Sequence, residues 1–183
     1  PATHQHLSAS PEVRDEWVTS QLIGVLMGEE MPSLLSSLLA IPVLAYLMAG
    51  EVAPAFVGAW AIVMLVLLVY RLRNANLYRT RYDSVEGPMR PEFMRQYAWT
   101  WGLSGVLWGS TVALAYLQTS LLTQLVVGIA VAGNGLMAAS SFSAYLPVFR
   151  MYSRSLAASV LIGLCVPLVM VPLTAALRHR RVW

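Results

Sequence analysis

Apolar residues in this chain come in long unbroken runs rather than in strand-like alternation or on one helical face. Five stretches contain no Asp, Glu, Lys, Arg or His: Pro32 to Met48, Val52 to Tyr70, Tyr97 to Leu117, Leu121 to Leu146, and Ser155 to Ala176. A helix needs about 20 apolar residues to cross a hydrocarbon core of about 30 Å, so each stretch predicts a transmembrane helix. The third and fourth belong to one uncharged tract from Gln96 to Phe149, whose turn-like break is Gln118, Thr119 and Ser120. That pattern predicts a tight helical hairpin.

The polar segments between the runs predict the remaining elements. Before the first span, Val18, Leu22, Val25 and Leu26 recur at helical spacing between charged residues, with Trp17 as an aromatic anchor. This predicts an amphipathic helix lying along a membrane interface; a cytoplasmic helix packed on a soluble partner fits equally well. After Tyr70 the second span is expected to continue into the cytoplasm. Gly87, Pro88 and Pro91 then break the chain ahead of a short helix feeding the third span. The expected fold is all-α, a polytopic α-helical membrane bundle of five spans with an N-terminal interfacial helix. Its divisions are 1–30 (tail and interfacial helix), 31–177 (bundle) and 178–183 (basic connector).

Composition strengthens this expectation. Of the 183 residues, 57% are hydrophobic and only 11% charged, with a mean hydropathy of +0.62, where ordinary soluble domains carry about 25% charged residues. All twelve basic residues are arginine. Arg14, the cluster from Arg71 to Arg95, Arg150 and Arg154 fall on one side of the spans, while the turns at Gly50 to Glu51 and Gln118 to Ser120 carry none. Basic loops stay cytoplasmic, which places the N-terminus inside and reads these arginines as topology markers. Five spans would then leave Arg178, His179, Arg180 and Arg181 outside, so a sixth span is expected to start near Val182 and Trp183. The arginines form no stripe interleaved with stacking aromatics, so nucleic acid is not an expected partner. The polar opening residues lack the apolar core of a cleavable signal peptide. Cys165, single in an apolar run, is expected to be a small buried hydrophobe.

With no ionisable group inside the predicted spans, the sequence argues against a proton-coupled pump, haem ligation or a conventional metal centre. It also offers no base to activate a serine. No catalytic residue, metal ligand or cofactor is therefore expected.

What remains is packing and neutral recognition. Gly102, Gly105 and Gly109 share one side of the third span and predict close approach of a neighbouring helix. Trp101 and Trp108 fall on one side seven residues apart, as an aromatic wall or as interfacial belt and core filler respectively. In the fourth span Gly128, Ala132, Gly135 and Ala139 predict a second smooth seam, and Asn134, Ala138, Ser141 and Tyr145 form a stripe beside it. An amide in hydrocarbon needs a partner, so Asn134 is expected to face a helix, a water or a ligand. Asn134, Ser141, Tyr145 and Trp108 are expected to surround an inner pocket for a small hydrophobic ligand. Pro147 is expected to end the fourth helix before a loop carrying Arg150, and Pro42, Pro167 and Pro172 to kink theirs.

The order of these features resembles the six-helix membrane-associated sensor regions of bacterial signalling proteins. It is carried by GLSGVLWGS, by a small-residue span ending SFSAYLPVF, and by RMYSRSLAASVLIGLCVPL, between about Val13 and Ala176. Such regions precede diguanylate cyclase modules, which make cyclic di-GMP, or histidine kinase modules. The resemblance implies a multi-pass sensory input in a bacterial cytoplasmic (inner) membrane, surrounded by the lipid bilayer and working as a homodimer that repacks its helices. This chain departs from the pattern by lacking the sixth helix, the connector and the output module. The alternatives are a membrane scaffold or assembly protein and a small transporter subunit.

Overall fold

The computed structural model describes residues 11–81 and 89–179, with side-chain surroundings from 14 to 165 apart from 82–91 and 117. Among the described residues every regular element is a helix, with no strand. The elements are α1 (Pro11–Gly28), α2 (Glu30–Met48), α3 (Pro54–Arg81), α4 (Met89–Tyr97), α5 (Trp99–Gln118), α6 (Leu121–Phe142) and α7 (Leu146–His179). The break at Gln118 to Ser120 is a two-residue connection: Thr119 and Ser120 are extended, and α6 starts at Leu121. Most of the 178–183 connector, like Gly87 and Pro88, lies outside the described residues.

Among the described residues, four stretches are long and apolar enough to cross a membrane: Arg14–Met48, Pro54–Arg81, Leu121–Phe142 and Leu146–Cys165. The expected third span, now α5, is not among them. Its Trp, Gly, Ser and Thr content suits contact with other helices, and Trp101, Ser104, Trp108, Thr111, Val112 and Ala115 are all buried. Helix α6 stops at Phe142, earlier than the expected Leu146, and Pro147 does not end it. Instead Pro147 is the second residue of α7, where a missing N–H costs nothing and a fixed φ helps. Arg150 accordingly lies on α7, not in a loop.

In helix α1, Ile23, Leu26 and Met27 are buried, whereas Val18, Leu22 and Val25 are exposed. The helix packs against α4 and α2, so of the expected stripe Leu26 faces the bundle and the other three face outward. Cys165 is exposed, not buried.

The closest helix pair is α5 with α7, and glycine makes it so. A Cβ on Gly105 would lie 2.5 Å from the Tyr152 carbonyl oxygen and 3.0 Å from the Leu156 nitrogen. One on Gly109 would lie 2.6 Å from Ser159 Cβ and 2.8 Å from the Leu156 carbonyl. Gly163 of α7 returns the contact, with Ala113 Cβ 2.8 Å from its would-be Cβ. At this separation Ser159 Oγ donates to the Val106 carbonyl at 2.9 Å, an interhelical bond that wider packing would forbid.

At the opposite end from the arginines, Glu51 fastens two turns that are far apart in sequence. Its carboxylate accepts from the Ser120 backbone N–H, from Ser120 Oγ at 2.9 Å and from Thr123 Oγ1 at 2.8 Å. It thereby caps α6 from the α2–α3 connection, using the positive end of that helix. These bonds, the backbone one foremost, hold the Glu51 carboxyl below its ordinary value of 4.5.

Two outcomes follow from this packing. Gly109→Ala should lower stability by about 1–3 kcal/mol through overpacking, whereas Gly128→Ala, with nothing within 4 Å of its Cβ, should leave the unfolding midpoint in detergent unchanged or slightly raised. Because the Glu51 pKa is depressed in the folded state, its contribution is complete above the ordinary carboxyl range. It fades as pH falls through the lowered value, and acid titration of the unfolding midpoint should show a steeper loss in the wild type than in Glu51→Gln.

Candidate functional site

The apolar runs of α2 and α3 each end on a charge, and the fold brings the two charges together. Glu30 opens α2, and Arg71 sits on α3 where that helix continues past the expected end of its span. Both are buried, with 2% and 6% of their surface exposed. Arg71 donates to Glu30 Oε1 from Nε at 2.9 Å and from Nη2 at 2.7 Å, and from Nη1 to Ser104 Oγ on α5 at 3.1 Å. The guanidinium carbon also lies 5.5 Å from the centre of the Trp101 ring and 5.9 Å from that of Phe142. Delocalised charge and a planar face suit arginine, rather than lysine, to a site walled by aromatics.

This overturns one sequence expectation: nothing titratable was expected between the helices. The pair is interior, at the ends of the helices that carry the other arginines. Trp101, one of whose readings was an interfacial belt, is 98% buried under Arg71. The available signal was weak: opposite charges, each terminating an apolar run.

The pair extends into a wider network. Phe142, at the end of α6, meets the Tyr152 ring of α7 edge-on, with centroids 5.4 Å apart. Tyr152 in turn donates its hydroxyl to Asn134 Oδ1 on α6. Asn134 therefore has a helix-to-helix partner. Beside Arg71 lies a void of about 10 Å³ bordered by Ser37, Ser104 and Trp108, room for at most a single water.

A second feature lies between α5, α6 and α7. An apolar groove of about 450 Å³ runs there, with Gly128, Ala132, Gly135 and Ala139 as its α6 wall. Phe149, Tyr152, Ser153, Leu156, Val160 and Leu164 form its α7 wall. These four small residues were expected to form a seam of close helix contact. They form a recess instead, because α7 is drawn onto α5: a Cβ on Gly135 would meet only Leu156 Cδ2, at 3.5 Å.

The four residues expected to share a pocket are placed apart. Trp108 borders the small void, and Tyr145 borders a separate cavity of about 220 Å³ with Met94, Arg95 and Met151. Asn134 bonds Tyr152, and Ser141, half-buried, lines none of these three cavities. The residues the sequence did not single out are Glu30, Arg71, Ser104, Phe142 and Tyr152.

No family model matches the chain, and no curated protein or solved structure matches it significantly.

Removing one partner of the buried pair leaves an uncompensated charge, which costs about 3–5 kcal/mol. Arg71→Met should therefore lower the unfolding midpoint sharply, and Glu30→Met combined with Arg71→Met should recover most of the loss. A double-mutant cycle on detergent-solubilised protein measures the coupling.

Proposed function

We propose that the chain is the membrane-embedded sensory input of a bacterial signalling protein, and that it changes helix packing when a lipophilic molecule occupies the groove between α5, α6 and α7. In this reading the bundle is multi-pass in the cytoplasmic membrane, with its arginine ends and N-terminus on the cytoplasmic side. It acts as a homodimer on a cytoplasmic output such as a diguanylate cyclase, and these residues carry no catalysis themselves.

The observation that supports it best is the asymmetry around α7. Glycines clamp that helix onto α5 at backbone distance, while a groove of about 450 Å³ separates it from α6. One interface is fixed by sterics and the other has room to repack. A ligand shifts such a balance only by binding one arrangement better than the other, and a groove that closes or widens as α6 moves meets that condition.

Tyr152 supplies the route outward. It lines the groove, bonds Asn134 and packs against Phe142, which borders the Arg71 guanidinium. A change of groove width that displaces Tyr152 alters the surroundings of the ion pair joining α2, α3 and α5.

The test is output from the complete parent protein in native membranes. Gly128→Leu and Ala132→Leu, which fill the groove from its α6 wall, should each shift basal output at least severalfold while leaving the unfolding midpoint near that of the wild type. Unchanged output in both folded variants would remove the input assignment and favour a scaffold.

A further inference from the structure

The groove is apolar along most of its length, and the charge that bears on it lies at one end. At the arginine end its wall is made by Ala139, Phe149, Tyr152 and Ser153; toward the other end it is made by Val112, Tyr116, Gly128, Val160 and Leu164. Along α6 the lining runs from Gly128 to Ala139, about 16 Å at 1.5 Å per residue. That is close to the depth of one leaflet, about half of a hydrocarbon core of about 30 Å. The dimension suits one extended hydrocarbon chain entering from the arginine side.

Arg150 and Arg154 mark where a headgroup would sit. Each follows a groove-lining residue, Phe149 and Ser153, and both side chains are exposed. Neither is paired with a carboxylate among the described residues. Four residues apart on one helix, they are surface neighbours, and two guanidinium groups so placed offer several N–H donors to one phosphate. Arg71 takes no part, since Glu30 and Ser104 hold it in the interior.

We infer that the α5–α6–α7 groove is a binding site for an anionic phospholipid of the arginine-side leaflet, with one acyl chain along the Gly128–Ala139 wall and the phosphate on Arg150 and Arg154. This deepens the input reading by naming the class of molecule its groove takes, and only the signalling consequence of binding rests on that reading. The small residues of α6 give the recess its depth, the clamp between α5 and α7 keeps it open, and the two arginines select charge. A zwitterionic lipid satisfies the groove but not the arginines.

The full chain is reconstituted in vesicles of equal phosphatidylglycerol and phosphatidylcholine, extracted in mild detergent, and the lipid retained per chain is quantified. Phosphatidylglycerol should be retained near one per chain and at least fivefold over phosphatidylcholine. Arg150→Gln with Arg154→Gln should abolish that preference. Gly128→Leu or Ala132→Leu should reduce retention at least fivefold although both arginines remain, and Arg73→Gln, an exposed arginine on α3, should leave it unchanged. Equal retention of the two lipids would identify an adventitious annular layer and overturn the proposal. So would retention unaffected by both kinds of variant, or capture of a second copy, or of another segment of the parent chain, by a cysteine placed at Ala132. Measuring parent output on the same variants separates the two claims. Lost lipid preference with an intact output response overturns the lipid site alone, whereas selective retention with unresponsive output upholds the site and removes the input assignment.

Discussion

A carboxylate and a guanidinium buried together set the terms on which the rest of this bundle is built. Neither Glu30 nor Arg71 could be interior singly, because desolvating an unpaired ion costs several kcal/mol. Together they fix where the first turn of α2 meets α3, and Ser104 brings α5 to the same point. Apolar helices in a low-dielectric environment can slide and rotate against one another at small cost, since one greasy surface resembles another. A charged contact with three directional bonds removes that freedom. Register specification is the best-attested use of a buried polar group, and here it acts where the apolar run of α3 ends and the helix continues toward Arg81.

From that fixed point the packing divides. On one side, α5 and α7 approach until backbone meets backbone, held by Gly105, Gly109 and Gly163 and by the Ser159 bond to Val106. On the other, α6 stands off from α7 and is joined to it through Asn134 and Tyr152 and through the edge-on contact of Phe142. The far end is closed separately by Glu51. Helix α6 is thus fastened near its start by Glu51 and at its end by Phe142, while Asn134 ties it to Tyr152 partway along the recess.

How much of this was legible in the sequence depended on the range of the interaction. The α5–α6 hairpin was visible because three polar residues interrupt one uncharged tract, and the extent of the apolar runs located the long helices. Helical spacing correctly grouped Gly102, Gly105 and Gly109, and equally Gly128, Ala132, Gly135 and Ala139, yet the first set meets α7, Gly105 and Gly109 at its backbone, and the second borders open space. Spacing says which residues share a helix side, not how near the neighbour comes. That distance is decided by the partner's own small residues, here Gly163 and Ser159. The Glu30–Arg71 pair was hidden for a related reason. The two are 41 residues apart, and a charge closing an apolar run looks the same whether it faces headgroups or a counter-ion. Pro147 was misplaced because a proline between two helices can end one or begin the next, and only the position of the Ser143–Tyr145 turn separates the cases.

Tyr152 is where the two halves of the structure meet. Its backbone carbonyl is the atom that excludes a side chain at Gly105, its ring lines the groove and abuts Phe142, and its hydroxyl reaches Asn134. The residue therefore belongs at once to the tight interface and to the loose one. Moving its backbone strains the α5 contact, whereas moving its ring requires Asn134 and Phe142 to follow. The groove is bordered by Tyr152 on its α7 wall, and the side chain's ties run to α6, through Asn134 and Phe142. Phe142 in turn lies against the Arg71 guanidinium, so the contact between α6 and α7 is continuous with the ion pair that joins α2, α3 and α5.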